Sequence, residues 1–232
     1  MTEKENPKTK GQPLYLKDIY GWLYNNKKIS EFMDKPWVSK VLSLGNNEKL
    51  IQSALREISV NDTVLQLGAT FGTQIDRTLK KIGHYGRYDI LDICDTQIER
   101  CEKKYGHHRQ VNIIKRNANE DIVRKDYDVI LCFMLLHEVP TVQKSKIINA
   151  ALNNVKDGGK VVFIDYHNPV KYHPLRYLVR MFNRLYQPFA EKLWDREIYS
   201  FVENKSGFMW RRVLYFGEMY QKIVADKKIN MK

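Results

Sequence analysis

The segment VLQLGATFG, residues 64–72, has the composition of a nucleotide-binding turn. Gly68 ends an apolar run and lets the chain turn sharply, while Gly72 opens an amphipathic segment and allows a ligand to approach the backbone closely. Asp92 ends the next apolar run, where nucleotide-binding α/β folds place an acid against the ribose hydroxyls. Two glycines are a weak signal alone, but with Asp92 they predict a nucleoside site. In the alternative interpretation Asp92 only caps the following helix, for which Asp95 is better placed.

Polar residues also follow the third and fourth apolar runs. Asn117, with Ala118 beside it, comes after the third run, where a polar side chain can bind the adenine amino group; asparagine is equally typical of turns. His137, in LLHEVP after the fourth run, could orient substrate, act as a base near neutral pH or bind a metal. Glu138 could pair with it or act as a carboxylate ligand. The alternative for His137 is a structural bond to backbone at the start of a helix.

The densest polar group, Asp165, Tyr166 and His167, follows the fifth apolar run. Because strand ends in α/β sheets face the ligand, we expect these side chains at the catalytic end. Asp165 and His167 could bind a divalent cation or a substrate oxygen, and Tyr166 could donate a hydrogen bond or stack on a ring. A purely structural interpretation has Asp165 cap the next helix and His173 precede Pro174 as a helix-start signal.

The order of the elements predicts how these residues are positioned. Apolar runs alternate with amphipathic segments between residues 61 and 166, which predicts a parallel sheet covered by helices on both faces. A helical segment broken by Pro188 follows, and GFMWRRVLYFGEMYQKIVA predicts two strands joined around Phe216–Gly217. We expect a disordered tail (1–13), an N-terminal helical cap (14–60) and an α/β domain (61–232) with a helical insertion at about 172–203.

The composition is that of a globular protein, with 43% hydrophobic residues and three cysteines that form no metal-like pair. No apolar run is long enough to cross a membrane, and the charged N-terminus is unlike a secretory signal. These features favour a reduced cytosolic protein. The formal net charge of +12 favours an anionic partner, either a nucleic acid or a membrane surface.

Two segments favour the membrane. HPLRYLVRMFNRLYQPFAEKLW spaces its arginines four residues apart beside apolar and aromatic residues, and YLKDIYGWLYNNKK has the same character. A basic amphipathic helix with aromatic residues suits an anionic membrane surface. Packing against the sheet is the commonest fate of such a helix, and arginine with aromatic residues could instead bind RNA. The expected substrate or membrane face comprises Tyr20, Trp22, His173, Arg176 and Arg180.

The loop lacks the G-x-G-x-x-G pattern of dinucleotide-binding proteins. With the acid after the second strand and the terminal hairpin, it resembles the Rossmann-like class I S-adenosylmethionine (SAM) methyltransferase fold instead. In that fold the loop usually has an acid, an apolar residue and then G-x-G-x-G, whereas here Gln66 replaces the acid and Thr70 the central glycine. An acid at position 66 would meet the ammonium group of SAM, and Gln66 offers no charge, so we expect a modified and weaker site. The resemblance implies SAM binding by Gln66, Gly68, Ala69, Thr70, Gly72, Asp92, Ile93, Asn117 and Ala118.

A narrower resemblance covers residues 14–225. The altered loop, with DKPWVSKVLSLGN, LLHEVP, GGKVVFIDYHNPVKYHPLRYL, PFAEKLWDREI and FGEMYQKIV, is similar to the rhodoquinone-biosynthesis methyltransferase-like family, which is related to the ubiquinone/menaquinone C-methyltransferases. The resemblance implies SAM-dependent modification of a prenylated benzoquinone, in which SAM supplies an amino group or a methyl group. It also implies a divalent cation, manganese, for which Asp165 and His167 are the candidate ligands. The expected catalytic residues are His137, Asp165, Tyr166 and His167.

Two other functions stay open. A conventional C- or O-methyltransferase acting on a quinone or a small aromatic molecule would need no metal. A methyltransferase-fold protein that only binds, including one that binds RNA, would have lost the use of the altered loop. We expect a cytoplasmic enzyme associated peripherally with the inner face of a membrane and without a nucleic-acid partner; the sequence predicts no oligomeric state.

Overall fold

The structure is a computed structural model, and it describes residues 13–24, 26–120 and 124–229. The predicted disordered tail lies outside these residues apart from Pro13. The region expected to be a helical cap contains α1 (Leu14–Tyr24), α2 (Lys27–Met33), α3 (Pro36–Leu42) and α4 (Asn47–Leu55). The Asn26 side chain accepts the N–H groups of Lys28 and Ile29 and so caps α2, and Pro36 begins α3.

The alternation of strands and helices predicted from residue 61 onward is confirmed. The elements are β1 (Thr63–Leu67), α5 (Gln74–Ile82), β2 (Arg87–Asp92), α6 (Asp95–Tyr105), β3 (Val111–Lys115), β4 (Tyr127–Phe133), a 3-10 helix (Leu136–Glu138), α7 (Thr141–Asn154) and β5 (Val155–Tyr166). β5 begins before its apolar run, KVVFIDY. Asp157, Gly158 and Gly159 are residue types that usually stop a helix, but here they are part of an irregular strand. Tyr127 pairs with Val155, and the register shifts before Val129 pairs with Lys160.

The described residues contain a seven-stranded sheet in the order β3-β2-β1-β4-β5-β7-β6, completed by β6 (Phe208–Tyr215) and β7 (Tyr220–Lys227). β1 to β5 pair in parallel, β7 pairs antiparallel with β5, and β6 pairs antiparallel with β7. This confirms the Rossmann-like fold with a terminal antiparallel hairpin. The strand order reverses between β1 and β4, so the loops after these two strands flank the switch point of the sheet.

Hydrophobic cores cover both faces of the sheet. Alternate side chains of β5 enter opposite cores, with Val162 and Ile164 on one face and Val161 and Phe163 on the other. α4 and α5 pack on the first face, and α7 packs on the second. α1 forms a smaller cluster with Cys94, next to the loop after β2.

The helical insertion contains α8 (Arg176–Tyr186), α9 (Lys192–Asp195) and a 3-10 helix (Ile198–Phe201). Lys144 of α7, which is fully buried, attaches this insertion to the sheet by donating to the carbonyl oxygens of Val139 and Phe189. Burial lowers the pKa of Lys144 to about 8, although the charge of Asp165 opposes this shift. The lysine thereby links the segment after β4 to the segment after α8.

Candidate active site

A cavity of about 350 Å³ lies between α1, α8 and the carboxyl ends of β1 to β4. It occupies the switch point of the sheet, the usual ligand site in open α/β folds. Most of the residues expected at the site line this one cavity: Tyr20, Trp22, Gly68, Ala69, Thr70, Asp92, Ile93, Asn117, Ala118, His137 and Tyr166. Residues separated by more than a hundred positions are thus brought together by the parallel strands.

Asp92 is fixed at the end of β2 by two backbone groups. Its Oδ2 accepts the N–H of Ala69 at 2.7 Å, and its Oδ1 accepts the N–H of Cys94 at 2.8 Å. Burial raises the pKa of Asp92, although these hydrogen bonds and the charge of Arg100 oppose the rise. The carboxylate therefore both shapes the loop after β1 and lines the cavity, where its remaining lone pairs can accept ribose hydroxyls.

Gln66 and Gly72 shape the loop and do not line the cavity, and their expected contact with the cofactor stays a prediction. Gln66 is fully buried, donates to Gly68 O at 3.2 Å and accepts the Tyr88 hydroxyl at 3.1 Å. The N–H of Gly72 donates to Asp34 Oδ1 at 3.0 Å. The polar groups of both residues are thus occupied within the protein.

Arg100 of α6 holds the loop from the opposite side and was not expected from the sequence. Its guanidinium donates to Ala69 O at 3.0 Å, to Thr70 O at 2.9 Å and to Asp34 Oδ1 at 2.5 Å. It also lies over the ring of Phe71, 4.8 Å from the centroid. The helix TQIERCEKKY reads as an ordinary solvated helix, so no local pattern indicates this role.

His137 and Asp165 form a buried pair after β4 and β5. His137 Nδ1 lies 2.9 Å from Asp165 Oδ1, and Asp165 Oδ2 accepts the N–H of Leu136 at 2.7 Å. Burial lowers the pKa of His137, but the charge of Asp165 and its hydrogen bond raise it more, so the pKa lies above the ordinary value. Asp165 does not line the cavity; it orients His137, which does. Asp165 is therefore a positioning residue.

Glu138 is a second, largely buried acid in the cavity, which the sequence indicated as a partner for His137 or as a carboxylate ligand. Its Oε2 accepts the hydroxyl of Tyr24 at 2.6 Å, and its Oε1 lies 3.9 Å from His137 Nε2. Burial raises the pKa of Glu138, and the charges of Asp92 and Asp165 add to the rise. Tyr24 also stacks on Phe71 of the loop after β1, so α1 contacts both sides of the switch point.

Aromatic side chains form much of the remaining wall. Tyr166 packs edge-on against His137 with centroids 4.9 Å apart, and Trp22 of α1 packs against Tyr186 of α8 with centroids 6.4 Å apart. Tyr20 is 2% exposed, and its hydroxyl has no hydrogen-bond partner among the described residues. The cavity thus combines a polar end, at the strand termini, with an aromatic end between α1 and α8.

Residues 64–159 match the family model for a methyltransferase domain. This segment of the chain is therefore similar to methyltransferase domains. The match begins in β1 and ends in β5, so it includes the loop after β1, Asp92 and His137. Together with the fold, it confirms the expectation of a SAM-dependent, methyltransferase-like enzyme. No curated protein matches the sequence.

Solved structures with the same fold are class I methyltransferases. The N-methyltransferase NodS from Bradyrhizobium japonicum, in complex with S-adenosyl-L-homocysteine, has a TM-score of 0.61 at 13% identity and covers 89% of this chain and 95% of its own. An O-methyltransferase family protein from Burkholderia thailandensis has a TM-score of 0.64 at 15% identity, and the match covers 93% of this chain and 70% of that protein. Human N-acetylserotonin methyltransferase in complex with SAM has a TM-score of 0.61 at 15% identity. The match covers 94% of this chain and 64% of that enzyme, so this chain spans less than two thirds of the enzyme's length.

Several residues expected at the site lie elsewhere in the structure. His167 continues the pairing of β5 with the hairpin, since its N–H donates to Met219 O and its Nδ1 lies 2.9 Å from Glu218 O. It lines a second cavity together with Arg176. His173 packs edge-on against Phe216, with centroids 4.9 Å apart. His167, His173 and Arg176 do not line the cavity at the switch point, and their expected roles at the substrate stay predictions.

The arginines of α8 are also engaged within the protein. Arg176 donates to Pro169 O and lies 5.8 Å from the ring centroid of Trp194. Arg180 and Arg184 both form ion pairs with Glu191, at 3.1 and 3.0 Å. The four-residue spacing places them on one side of the helix as expected, and the single carboxylate of Glu191 compensates only part of their charge.

The residues do not fit the expected manganese site. Asp165 accepts hydrogen bonds from His137 and from the N–H groups of Leu136 and Tyr166, and His167 lines a different cavity. Within residues 13–24, 26–120 and 124–229, no group of three or more His, Cys, Asp and Glu side chains is arranged to hold a metal ion. The expected assignment of Asp165 and His167 as ligands of one metal is corrected.

Across the part of the chain that the structure describes, no helix is both long and apolar enough to span a membrane.

Proposed function

We propose that the methyltransferase domain transfers a group from SAM to the ring of a prenylated benzoquinone held at an anionic membrane surface. The finer form of this proposal is the rhodoquinone-type conversion of ubiquinone, in which SAM donates an amino group. The observation that carries the proposal is that the cofactor loop and an exposed apolar helix face meet at one cavity. A ring with a long apolar tail is a substrate that suits both parts.

The apolar face of α8 supports delivery of the substrate from lipid. Val179 and Asn183 are the buried residues of this helix, whereas Leu178, Met181 and Leu185 are 53%, 56% and 68% exposed. Phe182 and Tyr186, on the same exposed face, line the cavity together with the half-exposed Trp22. A surface helix normally buries its apolar side against the protein. An outward apolar face at the mouth of a cavity is typical of a helix that lies in a membrane interface.

The aromatic end of the cavity supports a planar ring as substrate. Tyr20 and Tyr166 line it. No described residue bonds the buried hydroxyl of Tyr20. Because an unsatisfied buried hydroxyl costs free energy, a quinone oxygen that accepts from Tyr20 would be bound favourably. The face of a tyrosine ring also stacks on other planar rings.

His137 is the residue best placed to move a proton. Asp165 holds its Nδ1 and stabilises the protonated ring, which leaves Nε2 on the cavity side. In methyl transfer to a reduced ring, an oxygen or carbon of the substrate bonds to the methyl carbon of SAM. The carbon–sulfur bond breaks with its electron pair on sulfur, and the substrate proton passes to neutral His137. The sulfonium is already activated, so orientation and exclusion of water supply most of the catalysis.

The decisive experiment uses SAM labelled with deuterium in the methyl group or with nitrogen-15 in the amino group. The protein would be incubated with a prenylated benzoquinone in anionic vesicles, either oxidised or chemically reduced to the quinol. The incubations would be run with and without added manganese, and the lipid products analysed by mass spectrometry. Incorporation of nitrogen-15 would support the rhodoquinone-type reaction, and incorporation of deuterium would support conventional quinone methylation. Activity with a water-soluble small aromatic molecule, but not with the prenylated quinone, would contradict the proposed substrate.

A binding measurement separates cofactor use from turnover. Asp92→Asn should weaken SAM binding at least about tenfold in calorimetry, because a charged acceptor for the ribose is lost. Asp157→Asn, an exposed acid at the start of β5 and outside the cavity, is the matched control and should bind SAM like the wild type. If the wild type binds no SAM, the proposed function is wrong and a non-catalytic binding role is favoured.

A further inference from the structure

Glu138 lines the cavity but has no role in the proton transfer described above. The acids that line the cavity within the described residues are Asp92, at the ribose position, and Glu138. A protonated His137 and Asp165 compensate each other, so this pair offers little positive charge to Glu138. Among the described residues, the cationic atom found within 4 Å of Glu138 is His137 Nε2, at 3.9 Å, which is beyond hydrogen-bond distance. A carboxylate that is only 18% exposed is costly without a closer cation.

Glu138 also lies close to the position where an acid is replaced by Gln66. Gln66 stands where the fold usually has an acid for the ammonium group of SAM, and its side chain is fully buried and bonded to Tyr88 and Gly68. Glu138 follows β4, the strand beside β1. A Cβ added to Gly68 would lie 3.1 Å from Leu135, so the loops after the two strands are in contact.

We infer that Glu138, held by Tyr24, binds the positively charged amino-acid end of SAM in place of the acid missing at position 66. This inference rests on the proposed function, since it assigns one residue of the same SAM site. SAM carries an ammonium, a sulfonium and one carboxylate, so it has a net positive charge. Glu138 supplies an anion for it, and the rings of Tyr24 and Tyr166, which line the same cavity, attract a cation.

Tyr24 determines where the carboxylate lies. Its hydroxyl donates to Glu138 Oε2 at 2.6 Å, and its ring stacks on Phe71 at a centroid distance of 6.3 Å and an interplanar angle of 7°. Among the described residues, Oε1 has no donor at hydrogen-bond distance. The acid is thus positioned through α1, which explains how an acid from the β4 loop can replace one at the end of β1.

The test compares SAM with 5′-methylthioadenosine, which keeps the nucleoside and the methylated sulfur. Its sulfur is a neutral thioether and the amino-acid end is missing, so it lacks both positive charges of SAM. In calorimetry, Glu138→Gln should weaken SAM binding about tenfold or more and leave methylthioadenosine binding within about twofold of the wild type. Glutamine keeps the size of the side chain and an acceptor for Tyr24. Tyr24→Phe keeps the ring and should weaken SAM binding by a smaller factor.

Two controls separate the inference from other effects. Gln66→Met should lower the thermal midpoint but leave the ratio of SAM to methylthioadenosine affinity unchanged, because Gln66 is buried behind the loop. Asp92→Asn should weaken both ligands, because both contain the ribose. Unfolding of each variant is followed by circular dichroism, so that the affinities are compared for folded protein only.

Three results would overturn the inference. Glu138→Gln could bind SAM as tightly as the wild type, it could lose both ligands equally, or Gln66→Met could lose SAM selectively. Glu138 would then be a substrate residue or a structural one. If the wild type bound neither SAM nor methylthioadenosine, the proposed function itself would be wrong, and the inference with it.

Discussion

At the scale of single residues, two constraints favour glycine at position 72: a positive φ and the close approach of Ser39. Its φ is +82°, and an added Cβ would lie 2.6 Å from Ser39 Oγ. Gly72→Ala should therefore lower the free energy of unfolding by about 2 kcal/mol, since it combines a left-handed backbone with a steric conflict. It should also weaken SAM binding, because the displaced loop carries Ala69 and Thr70. Urea denaturation and calorimetry measure the two effects.

Two other glycines provide the controls for this prediction. Gly45 also has a positive φ, +79°, but a Cβ there would meet no atom within 4 Å, and Gly207 has open space without a positive φ. Gly45→Ala should cost about 1 kcal/mol and Gly207→Ala close to nothing, and neither should change SAM binding. If Gly72→Ala and Gly45→Ala lowered the free energy of unfolding equally, Ser39 would have moved aside. The loss would then come from the positive φ alone.

Local sequence indicates some residues of the site but not their partners. Gly68, Asp92 and His137 were predicted because each follows an apolar run that becomes a strand. Arg100 and Tyr24 were missed because their contacts join residues far apart in the sequence, such as Tyr24 and Glu138, 114 positions apart. His167 was misplaced for the same reason, since its position depends on the hairpin that packs beside β5.

At the scale of elements, α8 gives a direct test of the membrane interface. The double variant Met181→Gln, Leu185→Gln should keep the thermal midpoint of the wild type, because both side chains are more than half exposed and glutamine suits a helix. It should bind anionic vesicles several-fold more weakly in a sedimentation assay, because apolar surface available for insertion is lost. SAM binding in the absence of lipid should not change.

Val142→Gln is the matched control for α8. Val142 lies in α7 and is 65% exposed, close to the value for Leu185, but it does not line the cavity. The control should bind vesicles like the wild type. Equal loss of binding in the control and in the double variant would mean that general surface hydrophobicity, rather than α8, mediates the association.

Periodicity predicted which elements exist better than it predicted their outward faces. The strands from β1 to β4 and the hairpin were recognised because each has an apolar run bounded by turn residues, and all of them are present. The start of β5 was missed because two glycines look like a helix stop, whereas in the sheet Gly159 allows close approach to the β4 backbone. A helix pattern cannot show whether its apolar side meets the sheet or solvent, so α8 needed the structure.

At the scale of the whole molecule, the formal charge of +12 and the apolar face of α8 should act together in membrane association. Arg180 and Arg184 of α8 share one carboxylate, that of Glu191, so the helix keeps part of its positive charge and the rest of the attraction to anionic lipid would come from charge spread over the surface. Such attraction acts over a Debye length, about 10 Å at 0.1 M salt and about 3 Å at 1 M. Insertion of apolar side chains is not screened in this way.

Vesicle binding should therefore have two separable parts. Raising the salt from about 0.1 M to about 1 M should weaken binding of the wild type to anionic vesicles roughly tenfold or more, because screening removes the electrostatic part. The residual binding at high salt should match binding to zwitterionic vesicles and should disappear in the α8 double variant. RNA competes only for the electrostatic part, so an added RNA duplex should not displace protein from vesicles at high salt. Binding that vanishes completely at high salt in the wild type would contradict a role for α8 and would favour a purely electrostatic partner, as RNA would be.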